Sequence, residues 1–207
     1  MGTTGYFLSL WVDGETAMEE IDIFLRKIWL DCCDHLSAFR NPAQLQRGGW
    51  NFFEAMELIV QGKTKEYEKL MEEGNGEIPM SRKVSKVFHK DLKLEYECDF
   101  GSTTALQLTV VEEFSIKADA NTVLLSRNEP LEILCGSCKK EPATEMCIAH
   151  GWDESSLFCP KCAKKHAKEC EDFEDYAAMP VVNSPRMGVC GYGGGAIDKE
   201  RDGVYKG

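Results

Sequence analysis

Apolar and polar residues alternate with period two over residues 6–12, placing Tyr6, Leu8, Leu10 and Val12 on one face, and Asp13-Gly14 supplies a turn that ends the run. This predicts an opening strand. The period then lengthens: Met18, Ile21, Leu25, Ile28, Trp29 and Cys32 recur at steps of three and four, the stripe of a core-facing helix over residues 16–33. A short strand over 36–40 precedes the Asn41-Pro42 turn, and Gly48-Gly49 marks a further break. Residues 51–73 lean towards helix, turn polar after Gly62 and stop at Gly74-Asn75-Gly76, and residues 81–88 form one more short helix. Leu92, Leu94, Tyr96 and Cys98 alternate on one side, and Leu106, Leu108 and Val110 alternate after Gly101-Ser102, which predicts an antiparallel pair. Residues 122–125 and 131–134 read as two further short strands. The pattern is that of an α+β chain.

Composition adds limits to this picture. The chain has 207 residues, 43% of them hydrophobic, enough for one core of about 130 residues and a small extra module. No apolar run approaches the roughly 20 residues that span a membrane. Net charge is −11, shared as −8 over residues 1–130 and −3 over 131–207, which disfavours general binding to nucleic acid because phosphates require Lys and Arg. A local cluster, Lys161, Lys164, Lys165 and Lys168, is followed at once by Glu169, Glu171, Asp172, Glu174 and Asp175, and is read as a solvated helix face.

The ten cysteines change the picture most. Six of them join two histidines in the cadence C-x2-C-x8-C-x2-H-x8-C-x2-C-x3-H-x3-C, formed by Cys135, Cys138, Cys147, His150, Cys159, Cys162, His166 and Cys170. A C-x2-C turn brings two thiolates onto one tetrahedral ion and a distant second pair closes the loop, so the spacing calls for zinc. If alternate pairs combine in a cross-brace, Cys135, Cys138, Cys159 and Cys162 hold one Zn2+ ion and Cys147, His150, His166 and Cys170 hold another. A one-zinc arrangement would keep only the four-cysteine set, and Cys190 is an alternative to Cys170 as the last ligand. A disulfide framework would need an oxidising compartment, whereas the first 20 residues show no basic region or continuous apolar core of a secretory signal. A cytoplasmic location is expected. Cys32, Cys33 and Cys98 are expected as small buried hydrophobes.

The motifs do not favour a catalytic zinc, which keeps three protein ligands and an open position. There is no H-E-x-x-H, and Cys159-Pro160-Lys161-Cys162 is the second half of a deaminase signature without the first. A hydrolase or nuclease would require His150 and His166 to hold an open site. Asp99-Phe100-Gly101 matches a kinase tripeptide, but no glycine-rich loop, V-A-I-K or H-R-D accompanies it, so it is read as a strand end with a turn glycine. His35 could pair with Cys33 and Asp34 but is read as structural, and His89 as a surface residue.

The ligand cadence resembles B-box and MYND-type fingers, which are chiefly protein-interaction modules. Elsewhere, Val84-Ser85-Lys86-Val87-Phe88, Tyr96-Glu97-Cys98-Asp99-Phe100-Gly101, residues 102–111 and Asn183-Ser184-Pro185-Arg186-Met187-Gly188-Val189-Cys190-Gly191-Tyr192 resemble the plasmid pRiA-type ORF-three-like family, also labelled insertion-element passenger or TnpR-like proteins. The resemblance implies an α+β domain with a curved antiparallel sheet and a packed helix, and no established reaction. The family's Pro-Pro-Ile-Trp-Arg-Arg element is missing, Cys98 stands where a second aromatic is usual, and Thr104 and Leu106 stand where Trp and His are common. Serine-recombinase chemistry needs a nucleophilic serine among arginines, and Ser9 has no arginine nearby in sequence.

The expected organisation is an α+β domain over 1–130, a small zinc-finger module over 131–175 and a tail over 176–207, docked at first, with Gly193-Gly194-Gly195 and the charged remainder not ordering alone. The expected function is non-enzymatic: a zinc-binding protein presenting an interaction surface, with another protein as partner. An accessory protein of a mobile element that binds nucleic acid is the alternative, and a metal-dependent hydrolase the second. Oligomeric state is not legible from the sequence.

Overall fold

A computed structural model describes residues 5–30, 33–44, 52–151 and 154–197. In chain order the elements are β1 (Leu8–Val12), α1 (Met18–Leu25), β2 (Ser37–Arg40), α2 (Phe52–Val60), α3 (Thr64–Asn75), β3 (Glu77–Ile78), β4 (Lys93–Cys98), β5 (Thr104–Thr109), β6 (Thr122–Arg127), β7 (Glu145–Cys147), β8 (Leu157–Phe158), α4 (Pro160–His166) and β9 (Ala178–Pro180). α1 runs on into a π-helical turn, Arg26–Leu30, and β1 pairs with β6 in a two-stranded ribbon. The fold is mixed α+β with antiparallel sheets. Among the described residues no helix is long and apolar enough to cross a membrane. Two compact units emerge, one of Leu10–Phe24 and His35–Val123, the other of Met1–Ser9, Leu25–Asp34 and Leu124–Gly207. This differs from the contiguous division expected from sequence, since residues 25–34 and the tail share a unit with the cysteine-rich loops.

In the first of these units a four-stranded antiparallel sheet has the order β3-β2-β4-β5. Period-two alternation buries Leu92, Leu94, Tyr96 and Cys98, and Phe39 on β2 lies opposite Tyr96 with ring centroids 4.8 Å apart. Met18 and Ile21 of the α1 stripe are also buried. Asp22, on the same helix, is 8% exposed, and its Oδ1 accepts hydrogen bonds from the Tyr96 hydroxyl and the Ser37 hydroxyl, both at 2.6 Å. This carboxylate is the polar fixture between helix and sheet, and its partners keep it from being a buried charge without compensation.

The helix expected over 51–73 is two helices. Gly62 takes φ +67° between them, and α3 then stops at Gly76, φ +68°, whose N–H returns to the Glu72 carbonyl. A Cβ at Gly76 would stand 2.5 Å from the Asn41 carbonyl oxygen, so the stop has both a conformational and a steric reason. Gly48-Gly49 lies outside the described residues. Residues 81–88 hold only a single 3-10 turn, Val84–Lys86, rather than a helix.

The other unit contains the three-stranded antiparallel sheet β8-β7-β9, whose strands have two or three residues each. Ala143, Met146, Leu157, Met179 and Val181 pack on it. The strand expected over 131–134 is absent; Leu134 makes an isolated bridge to Pro142. Asn183, Ser184, Arg186 and Tyr192 of the tail are at most 1% exposed. Asn183 and Asn128 exchange hydrogen bonds, the Asn128 amide reaching Asn183 Oδ1 at 2.7 Å, while the Ser184 hydroxyl donates to the Trp29 carbonyl at 2.8 Å. The tail is thus docked by reciprocal polar contacts as well as by Val181 and Val182. The charged remainder of the tail lies outside the described residues.

Tyr96→Phe should cost about 1.5–3 kcal/mol, the range for a hydrogen bond to a charged group, read as a shift in urea midpoint. Burial first, then the bond to Asp22, raises the Tyr96 phenol far above its ordinary value. An acid whose folded pKa exceeds its unfolded value of about 10 contributes stability that is full below that pH and is lost as pH rises through the folded value. Wild type should therefore lose stability above about pH 10 more steeply than Tyr96→Phe, measured by urea unfolding across that range.

Candidate metal centre

Cys135-Gly136-Ser137-Cys138 turns back on itself because the Cys135 N–H reaches the Glu141 carbonyl at 2.8 Å and the Lys139 N–H reaches the Cys135 carbonyl at 2.9 Å. Gly136 donates to the Leu157 carbonyl at 2.7 Å, and a Cβ there would fall 1.9 Å from the Glu154 carbonyl oxygen. Only glycine lets this turn lie against the segment leading to Cys159. Cys159 precedes α4, with Pro160 at its first position, so Cys162 projects from the first helical turn. The ligand atoms of Cys135, Cys138, Cys159 and Cys162 all lie within 4.8 Å of one another.

Cys147, His150, His166 and Cys170 form a second quartet within the same limit. Cys147 ends β7 and His150 ends the 3-10 turn after it, with Nδ1 3.2 Å from the Cys147 sulfur and 3.9 Å from that of Cys170. His166 is the last residue of α4, and the Cys170 N–H reaches its carbonyl at 2.9 Å. One seven-residue helix therefore serves both quartets, with Cys162 and His166 a single turn apart. The His166 ring stacks on Phe158 with centroids 4.3 Å apart and meets Phe173 edge-on at 5.1 Å. Its Nε2 is buried and has no hydrogen-bond partner. A buried imidazole nitrogen without a partner, in a residue grouped with two cysteine sulfurs and a second histidine, suits a cation ligand, so the donor set fits a metal ion.

The electrostatics point the same way. Burial raises the Cys135 thiol, but backbone N–H groups of Cys138, Cys159 and Ser137 outweigh it and bring the pKa to about 6. Backbone N–H groups of Glu141 and Lys140 also lower Cys138. Cys162, hydrogen-bonded to the Cys135 and Cys159 sulfurs, is pushed up to about 12. Burial raises Cys147, and burial followed by the charge of His150 lowers His166. The four-cysteine set thus holds thiols in mutual opposition, which a divalent cation would relieve by stabilising every thiolate together.

The eight residues expected as ligands are therefore brought together in two sets of four. Cys170 sits in the second set, and Cys190 lies elsewhere, its sulfur 3.5 Å from that of Cys33. Cys98 is buried, whereas Cys33, expected buried, is exposed. Cys32 lies outside the described residues. His35 Nε2 lies 3.5 Å from Asp99 Oδ2, and His89 is exposed. Asp99 takes φ +64° directly after β4, and its carboxylate accepts from the N–H groups of Gly101 and Ser102, a turn rather than a metal-binding tripeptide. The spacing did not reveal the aromatic walls around His166, since Phe158 and Phe173 follow no motif; the small residue inside the first C-x2-C was a visible trace of the Gly136 constraint.

Gly136→Ala should displace the Glu154 segment, destabilise the chain by about 1–3 kcal/mol or more, and weaken the sulfur-to-metal absorption of the cobalt-substituted chain. Because backbone N–H groups lower the Cys135 and Cys138 thiols, loading the four-cysteine set near pH 7.5 should release fewer than four protons, measured calorimetrically in buffers of different ionisation enthalpy. No protein-family model matches the chain, and neither a curated protein nor a solved structure matches it.

Proposed function

We propose that the two quartets bind Zn2+ and that the ions are structural, holding residues 135–170 as a rigid surface for another protein. The observation that carries this reading is that each set has four protein donors mutually within 4.8 Å, a complete tetrahedral complement rather than three ligands and a vacancy. Thiolate and imidazole donors favour zinc over the oxygen-seeking calcium or magnesium. Among the described residues the buried apolar cluster around the second quartet is small, with Phe158, Ala163, Phe173 and Ala177 besides two ligands. Metal binding would then be folding for this segment. On this reading the chain works in a reducing compartment, as thiolate ligands require, and is not an enzyme.

Metal per chain, measured by plasma emission on protein purified without added metal, should be about two zinc ions in wild type and about one in both Cys159→Ser and His166→Ala. One ion unaffected by His166→Ala would leave two histidines for other work and defeat the reading. So would hydrolysis of a phosphodiester or peptide by the zinc-loaded chain that His150→Ala abolishes.

One observation favours a second reading. Lys161, Lys164, Lys165 and Lys168 line one open groove with Glu174, a basic strip on a chain of net charge −11. Binding to single-stranded or duplex nucleic acid at low salt, weakened by added salt and by replacing these lysines with glutamine, would put nucleic acid in place of protein as the partner. No binding at low salt removes that alternative.

A further inference from the structure

Among the described cysteines six belong to the two quartets and Cys98 is buried; Cys33 and Cys190 remain, in a separate group of possible ligands. Both are exposed, and their sulfurs are 3.5 Å apart although 157 positions separate them in sequence. The chain on either side of Cys190 is fixed against the turn that precedes Cys33. Before it, the Ser184 hydroxyl donates to the Trp29 carbonyl at 2.8 Å; after it, the Tyr192 hydroxyl reaches the Ile28 carbonyl at 3.5 Å and the Ala196 N–H reaches the Lys27 carbonyl at 2.6 Å. Gly195 passes so close that a Cβ would stand 2.4 Å from the Ile28 carbonyl oxygen. Cys190 itself takes φ +49°, between Gly188 at +77° and Gly191 at +71°, a left-handed turn that few residues other than glycine adopt. The tail is thus strapped to residues 27–29 at several points, and the one strained non-glycine residue in the strap carries the thiol that faces Cys33.

We propose that Cys33 and Cys190 form a reversible redox site, oxidised to a disulfide that clasps the tail strap, with a low-molecular-weight disulfide as the oxidant. The Cys33 or Cys190 thiolate attacks one sulfur of glutathione disulfide, forming a mixed disulfide and expelling one glutathione thiolate. The second cysteine, after losing its proton, attacks the protein sulfur of that mixed disulfide and expels the second glutathione. Two protein thiols are oxidised and one glutathione disulfide is reduced to two glutathiones. The sulfurs must close from 3.5 Å to the roughly 2.05 Å of a disulfide, a movement within reach of side-chain rotation at two exposed positions. The quartet cysteines are separated from this chemistry: on the zinc reading proposed above their sulfurs are committed to a cation, and those of Cys135, Cys147, Cys159 and Cys170 are buried. The clasp is independent of the partner proposed for the zinc-held surface.

The test uses the full zinc-loaded chain, equilibrated with glutathione disulfide, alkylated, digested and mapped by mass spectrometry. The expected result is a cross-linked pair of peptides containing Cys33 and Cys190, dissolved by dithiothreitol, with zinc content unchanged. Cys33→Ser and Cys190→Ser should each abolish the cross-link, leave the surviving thiol alkylated or glutathionylated, and hold as much zinc as wild type. Recovery of Cys33 and Cys190 alkylated after oxidation would overturn the proposal. So would pairing of Cys190 with Cys32 or a quartet cysteine, or a further zinc equivalent per chain that Cys190→Ser removes.

Discussion

Six sulfurs and two imidazoles gathered into quartets no wider than 4.8 Å form the constraint on which the surrounding chain depends. Thiolates at such separations repel one another, so a positive charge among them favours their ionised form. The opposed ionisations of Cys135 and Cys162 express this conflict within a single quartet. Because α4 supplies Cys162 to one quartet and His166 to the other, displacement of that helix disturbs both. Strands of two and three residues, as in β7, β8 and β9, do not hold a sheet by their own pairing, so on the proposed reading ions in the two quartets would supply the frame for that small sheet.

The remainder of the same unit uses a different economy. Its tail is anchored by Asn183 and Ser184 through bonds to Asn128 and the Trp29 carbonyl, with Arg186 and Tyr192 fully buried beside them. Reciprocal amide pairing fixes register more strictly than apolar contact, because a one-residue slip would leave buried donors and acceptors without partners. Asp22 plays a comparable part in the sheet-bearing unit, where Tyr96 and Ser37 address one carboxylate from two strands.

How much of this could be read beforehand follows from the range of the forces involved. Strand β4 was legible because one buried face imposes alternation on Leu92, Leu94, Tyr96 and Cys98, and the quartets were legible because a tetrahedral ion fixes the spacing of ligands joined by tight turns. The break at Gly62 was read as a change of polarity only, since its φ of +67° is a property of the local turn. The strand expected over 131–134 failed because those residues lead into the Cys135 turn, whose hydrogen bonds to Glu141 and Leu157 take precedence over sheet pairing. The proximity of Cys33 to Cys190 left no trace in sequence, since it arises from tail docking across 157 positions and no local spacing encodes it.

Cysteine therefore has three separate fates in one chain, and burial and neighbours decide among them. In the quartets, backbone N–H groups point at sulfur and favour the ionised form that a cation takes, as at Cys135 and Cys138. Cys98 lies on the buried face of β4, where a thiol serves as a small apolar group beyond the reach of reagents. Cys33 and Cys190 are exposed and face each other, so an attacking reagent meets a resolving partner already in place. A single oxidant added to the chain would accordingly act first at these exposed sulfurs. On the proposed reading the chain would respond to redox conditions without giving up ions held by the two quartets.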